Sequence, residues 1–301
     1  MLEGVARMFN YVESYKDFIS FDIRKALRHV TVSSLYTSYK FRNLLTEGLH
    51  RNRIQLLYFH HIFKDEEVNF RRMLEVLSIN HKFITHTEAI NRILTNDIDK
   101  PYVSISFDDG FKNCIQAAEI MNSFGAKGCF FINPRYIENK NIEQLSEFYK
   151  KINSPPVELM NWNDIEYLIK NGHELGGHTL SHVNLASTEG DRLYHEIHQG
   201  KQMLTDKFGK IIHFAWPYGT YSHINIDAIK LIYDVGFKSI ASAIRGCHTA
   251  AHTDNIKNLC LRRDHIIAKW PLSHMLYFIV KSSNSSLGSK NNMWPKNLRQ
   301  N

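Results

Sequence analysis

"YVSISFDDGFKNCIQAAEIMNSFG", residues 102–125, joins three patterns in one stretch. Tyr102–Phe107 is a short apolar run of the kind that forms a buried strand. Two adjacent acids, Asp108 and Asp109, and then Gly110 interrupt it. Residues 111–125 place apolar side chains at helical spacing and stop at Gly125. A strand, a polar turn and a helix make one βα unit. Asp is a poor strand residue, and neighbouring like charges repel, so the doubled carboxylate calls for a function. If the strand ran on through the pair, the two side chains would point to opposite faces. One could then hold something and the other act on it. Gly110 permits a tight exit into the helix. Asp-Gly pairs also populate ordinary turns, so this stretch needs support from elsewhere.

The same unit recurs on both sides. Strands are expected at 54–59, 82–87, 127–133, 173–179, 211–219, 237–242 and 258–267. Helices are expected at 67–79, at 86–96 with Thr87 as N-cap, and at 161–172, 192–209 and 225–236. Strand–helix alternation over about 200 residues implies βα units around a parallel sheet. Sites in such folds form at the C-terminal ends of the strands, which is where the doubled acid sits.

Two further stretches carry chemistry at strand ends. "GGHTLSH" (176–182) supplies His178 and His182, four apart. On a helix, or on a loop folded through one turn, that spacing brings two imidazoles to one ion. Two His and one Asp make an open site for zinc or a similar divalent ion. The chain has 17 histidines, so a pair by itself decides little. "FAWPYG" (214–219) ends a strand with a Pro-Gly turn that can aim backbone N–H groups into a site, or simply stop the strand.

Taken in order, the three stretches resemble the polysaccharide deacetylase family, also called the NodB-homology family or carbohydrate esterase family four. "SFDDG" (106–110) is similar to its first motif, "HTLSH" (178–182) to its second, and "FAWPYG" to the Pro-Tyr-Gly variant of its third. "LLYFHHI" (56–62), the text before the second motif, and "CLRRDHI" (260–266) extend the likeness over about 54–268. The resemblance implies an α/β fold, a distorted (β/α) barrel with about seven strands. It implies a divalent metal on Asp109, His178 and His182, with zinc first and cobalt or nickel as substitutes. Asp108 would be the general base, and the Tyr218 backbone N–H would face the oxyanion. The reaction implied is hydrolysis of an N-acetyl group on a sugar of a polysaccharide or lipid-linked glycan. A metal would polarise the amide carbonyl and ease deprotonation of water. Asp108 would take that proton as attack occurs.

The sequence departs from the family pattern in two places. Many relatives carry Arg in the third motif where Ala215 stands, and Arg263 resembles a substitute for it. The family's late Leu-x-His proton donor matches "LSH" (272–274), which makes His274 one candidate acid. His265, close after Arg263, is its rival. Alternatives to deacetylation are deformylation or another amide hydrolysis, and an inactive sugar-binding relative.

Composition narrows the rest. The 301 residues are 43% hydrophobic, enough for a substantial core, and no period of 20–50 residues repeats. Cys114, Cys129, Cys247 and Cys260 show no C-x-x-C spacing and read as free thiols in a reducing compartment. The N-terminus lacks a continuous apolar run, so it does not read as a secretory signal. No stretch reaches the roughly 20 apolar residues that span a bilayer. A cytoplasmic location follows as an expectation, including the inner membrane face. The net charge of +7 belongs to residues 255–301, with eight Lys or Arg against Asp264, while residues 1–254 carry 29 of each sign. That C-terminal segment also holds Trp270, Tyr277, Phe278 and Trp294, a mixture that suits an anionic membrane surface. The plainer reading is a solubilising tail and one packed helix. No basic groove for nucleic acid is evident. The chain divides into a mainly helical extension (1–53), the deacetylase domain (54–281) and a disordered basic tail (282–301).

Overall fold

All paired strands in this computed structural model run parallel, in one curled sheet ordered β7-β6-β5-β4-β3-β1-β8. The strands are β1 (Arg53–Phe59), β2 (Lys82–Phe83), β3 (Pro101–Asp108), β4 (Gly128–Ile132), β5 (Glu174–Gly177), β6 (His213–Ala215), β7 (Ser239–Ala241) and β8 (Asp264–His265). The two-residue β2 pairs with β3 beside the start of β4 and lies off this path. The structure describes residues 10–18, 23–249, 255–284 and 293–299. Just before β8, Leu261 bridges to Ala241 of β7, so the two ends of the sheet are drawn together. The result is the expected distorted (β/α) barrel.

The pleat of β3 explains the core. Val103, Ile105 and Phe107 point outward and pack with Phe59, Phe70, Met73 and Phe130 beneath the surrounding helices. Tyr102, on the other face, joins Leu56, Cys129, Phe131, Ala215, Ala241 and Leu261 inside the curl. Ile90 and Ile93 of the helix His86–Thr95 plug one end. Glu174 of β5 accepts from the backbone N–H groups of His86 and Thr87, placing a carboxylate at that helix's N-terminus.

Several element boundaries differ from those expected. Residues 82–87 do not form one strand, because Thr85 rather than Thr87 is the N-cap, its Oγ1 accepting from Glu88 N–H. The helix after β3 is only Cys114–Asn122. The long helix 192–209 is instead Gly190–Tyr194, a π-helical turn His195–Gln199, and Gly200–Phe208. Ile142–Lys151 is a further helix, capped by Asn141, that the sequence reading did not identify.

The chain's two ends pack on each other. Helices Ile23–Phe41 and Leu44–His50 precede β1, and Leu272–Asn284 follows β8. A Cβ at Gly48 would stand 2.4 Å from Val280 Cγ1, so only glycine lets these segments approach so closely. The expectation of a disordered tail over 282–301 is corrected at both of its described parts. Ser282 donates to buried Asp264, Ser283 donates to the Gly48 carbonyl, and both belong to a helix. Met293–Arg299 returns to the barrel, where Trp294 is fully buried against Trp216. Two apolar anchors in a polar stretch suffice to tie it down, which a composition reading averages away. Residues 285–292 lie outside the described residues. Among those described, no helix is long and apolar enough to cross a membrane. All four cysteines are buried and none is in a disulfide.

Because Trp294 is fully buried, Trp294→Ala should lower unfolding stability by about 3–5 kcal/mol. Denaturant titration of both proteins measures this. A loss under about 0.5 kcal/mol would mean that the C-terminal return contributes no anchoring.

Candidate active site

β3 delivers both acids to one place, for a reason other than strand alternation. The strand stops at Asp108. Asp109 has φ 74° and Gly110 φ 76°, two left-handed residues in succession. The turn brings the Asp109 side chain toward the imidazoles of His178 and His182 instead of sending it to the sheet's opposite face.

Asp108 is buried and gripped by Arg263 through two parallel bonds, Nη1 to Oδ1 at 2.7 Å and Nη2 to Oδ2 at 2.8 Å. Arg263 also donates to the Ser242 carbonyl and to Ser106 Oγ, and its guanidinium lies over the Tyr58 ring at 4.5 Å. Burial alone would raise the Asp108 pKa, but the guanidinium charge and its bonds outweigh that and hold it at about 2.

Asp109 has no such partner. Burial and the neighbouring Asp108 charge push it well above the ordinary carboxylate range. His178 Nε2 stands 3.5 Å and His182 Nε2 3.4 Å from its Oδ1. One ligand atom from each of the three residues lies within 4.8 Å of the others. His178 is aimed by a 2.7 Å hydrogen bond from its Nδ1 to the Ala215 carbonyl, which leaves Nε2 for an ion. Burial keeps both rings neutral, the ligating form. Asp109 Oδ1 is buried with no hydrogen-bond partner, which leaves an orphaned acceptor beside two imidazole nitrogens. The residues present therefore fit a divalent cation.

The two histidines sit in a loop rather than on a helix. Thr179 has φ 62° and His182 φ 53°. Asn133 Nδ2 donates to the carbonyls of His178 and Thr179. Glu196, buried in the π-helical turn, accepts from the Ser181 backbone N–H at 2.9 Å and from Ser181 Oγ at 2.5 Å. A Cβ at Gly200 would stand 2.9 Å from the Leu180 backbone nitrogen, so the helix can press on this loop only through glycine. Sequence reasoning missed Asn133 and Glu196. Glu196 shares a helix face with buried Leu193, Ile197, Gly200 and Leu204, so an acid on an apolar stripe was the signal that could have found it.

A cavity of about 430 Å³ opens over the cluster, lined by His60, Glu66, Asp109, His182, Tyr218 and His265 among others. Tyr218, at φ 63°, has a backbone N–H with no acceptor among the described residues. Its ring meets His182 edge-on at 4.9 Å. His265 stacks on Tyr58, and its Nε2 is 3.3 Å from His60 Nδ1. His60 Nε2 lies 3.9 Å from Asp109 Oδ2. The sequence reading quoted "LLYFHHI" for its likeness alone and gave His60 no role. Burial holds Glu66 up at about 7 and leaves its Oε1 unpartnered. His274 does not line this cavity. It bonds Ser33 Oγ at 3.0 Å on the N-terminal helix and stacks on His29. The structure thus groups Asp108, Asp109, His178, His182, Tyr218, Arg263 and His265, and places His274 elsewhere.

Two predictions follow from this geometry. Removing the Asp108 partner in Arg263→Gln should cost about 3–5 kcal/mol near neutral pH, since it strands a buried carboxylate. Asp108 is depressed from 3.8 to about 2, so the pair's contribution is present above pH 4 and fades as pH falls toward 2. The stability gap between wild type and variant, measured against pH, should close over that window. Separately, Gly200→Ala should displace the 178–182 loop and weaken zinc binding about 10–100-fold in a competitive chelator titration, with the fold retained by circular dichroism. Unchanged affinity would show that the loop is not set by this contact.

The family model described as polysaccharide deacetylase matches residues 95–239. No curated protein matches the chain. Among solved structures, the Streptococcus pyogenes deacetylase PplD in complex with acetate is similar at 17% identity and a TM-score of 0.60, covering 75% of this chain and 98% of its own. IcaB from Ammonifex degensii is similar at 16% and 0.59, covering 78% of this chain and 98% of its own. A de-N-acetylase from Aggregatibacter actinomycetemcomitans gives 15% and 0.56, over 75% and 99%. At such identities these structures share the fold. Together with the family match, they establish the resemblance read from the motifs.

Proposed function

We propose that this polysaccharide deacetylase domain is a metal-dependent hydrolase that removes N-acetyl groups from a sugar of a polysaccharide or lipid-linked glycan. The observation that carries the reading is the Asp109, His178 and His182 cluster at a cavity wall, beside an Asp108 kept charged by Arg263. Those three residues would hold a divalent cation, with zinc the best match to two imidazoles and one carboxylate. When bound, such an ion supplies Lewis acidity, polarising an amide carbonyl and easing deprotonation of water.

The chain's own residues supply the rest. Asp108 stays ionised throughout the physiological range, because Arg263 pins both of its oxygens. It is assigned the proton that water gives up on attack. Arg263 uses one lone pair on each oxygen, and the others remain open to accept. The Tyr218 N–H, with no acceptor among the described residues, is assigned to the oxyanion. Of the two histidines considered for protonating the departing amine, His265 lines the cavity and His274 does not. Burial keeps His265 neutral, so it must take up its proton within the catalytic cycle. Acetate, bound to the Streptococcus pyogenes deacetylase, is the product this reading requires. Deformylation uses the same residues, and a panel of N-acylated sugars separates the two.

The test is acetate release from N-acetylated oligosaccharides, with bound metal measured alongside. Asp108→Asn should retain metal and lose about 10²–10⁴-fold in turnover. His265→Ala should lose turnover comparably, and His274→Ala should stay within about twofold of wild type. Full activity in Asp108→Asn would overturn the assignment of the base. Absence of acetate release by a metal-loaded wild type across the panel would favour a sugar-binding protein.

A further inference from the structure

The C-terminal aromatics that suggested a membrane surface are engaged inside the protein. Trp294 and Tyr277 are buried, and Trp270 lies beneath the Arg28 guanidinium at 4.3 Å. An exposed apolar surface exists instead on the N-terminal helix, Ile23–Phe41. Among the described residues nine large apolar side chains are exposed, and four of them, Leu27, Val30, Leu35 and Phe41, lie on this one helix. Phe41 is 85% exposed and Leu27 and Val30 are each 64% exposed. Val32, Tyr36 and Tyr39 face the other way, Tyr39 against Tyr277 of the C-terminal helix.

The outward face has a further property. Between its apolar residues stand Thr31, Ser34 and Thr37, and each hydroxyl donates to the carbonyl four residues earlier: Thr31 to Leu27, Ser34 to Val30, Thr37 to Ser33. These hydroxyls need no water, so covering the face would leave none of them unsatisfied. No Asp or Glu occurs from Ile23 to Thr46, while Arg28, Lys40 and Arg42 do. Lys40 and Arg42 are exposed beside Phe41. With large apolar groups and three internally bonded hydroxyls on its outer face, cations at its end and no carboxylates, the helix is complementary to an anionic bilayer surface.

We propose that helix Ile23–Phe41 lies in the surface of a membrane containing anionic lipid, docking the protein peripherally through Leu27, Val30 and Phe41. The active cavity is close by. Tyr15 lines both that cavity and a smaller one formed by Arg28, His29, Trp270 and His274 beneath this helix. Docking would bring the protein to a surface on which a lipid-linked glycan presents its sugar. That consequence rests on the proposed function, whereas docking itself does not.

The test is co-sedimentation of the full chain with phosphatidylcholine vesicles, with and without phosphatidylglycerol. Wild type should bind the anionic vesicles at least about tenfold better than the neutral ones, and less well as salt rises. Leu27→Glu/Val30→Glu/Phe41→Glu should lose at least about tenfold in binding, while keeping its circular dichroism spectrum and its acetate release from a soluble oligosaccharide. Lys40→Glu/Arg42→Glu should lose binding without removing any apolar group. Val68→Glu/Ile79→Glu, on exposed apolar residues of another helix, should bind as wild type. Failure of wild type to bind anionic vesicles overturns the proposal. So does a triple variant that binds equally well. A dimer that the triple variant converts to monomer, with no vesicle binding by either, would assign the face to a second copy of the chain. Acetate release is read separately in every arm, so loss of docking and loss of the catalytic reading are distinguishable.

Discussion

The bidentate ion pair between Arg263 and Asp108 is the constraint on which the active site depends. Two adjacent carboxylates inside a barrel repel each other and lose hydration together. Arg263 settles this for one of them only. Its planar fork fits both Asp108 oxygens, and two more of its five N–H groups go to Ser106 Oγ and the Ser242 carbonyl. The guanidinium in turn rests on the rings of Tyr58 and Phe131. Asp108 is thereby a fixed charge, and its field falls on Asp109, one residue away and unpaired. A positive ion would satisfy Asp109, which has two imidazole nitrogens within 3.5 Å of its Oδ1. One ion pair thus divides the two acids into a paired charge and a candidate metal ligand.

Arg263 reaches Asp108 only because the sheet curls. Asp108 ends β3, near the middle of the strand order, and Arg263 directly precedes β8 at its edge. β1 lies between β3 and β8, and the Leu261 bridge to β7 turns the far edge back toward them. In a flat sheet, β7 and β8 would stand at opposite ends. The family position commonly held by Arg in the third motif is Ala215 here, and it contributes its carbonyl to His178 instead. The cation and the histidine anchor therefore come from different strands. Closure matters for the chemistry as well as for the packing.

Much of this was legible in the sequence, because strand–helix alternation and short apolar runs are local signals. The three motif stretches lie at strand ends, so naming them also placed them. What escaped was set by longer-range or backbone effects. Asp109 was expected to follow strand alternation, but two left-handed residues override it. Thr85 and Thr87 are equally good caps by type, and only the chain's entry angle makes Thr85 the one used. His265 and His274 differ by which face of which element they occupy, which spacing does not encode. The tail 282–301 reads as polar by composition, yet Trp294 and Leu298 are buried. Glu196 is an acid on the same buried helix face as Leu193, Ile197, Gly200 and Leu204, and its partner, the loop that carries both histidines, is distant in the chain.

The N-terminal helix shows the same economy of polar groups on the outside of the molecule. A water-facing helix has no need to satisfy its own hydroxyls, because solvent does so at no cost in geometry. Bonding Thr31, Ser34 and Thr37 back to the preceding turn slightly weakens a helix in water. The arrangement is advantageous only where water is scarce. Leu27, Val30 and Phe41 point the same way, since exposing them to water is unfavourable. The inner face is engaged by Ser33 on His274, Tyr39 on Tyr277 and Arg28 on Trp270, which leaves the apolar side outward. A helix that faces outward with apolar and internally bonded groups is suited to being covered, as in the docking proposed above. Lys40 and Arg42 beside Phe41 would favour a negatively charged cover.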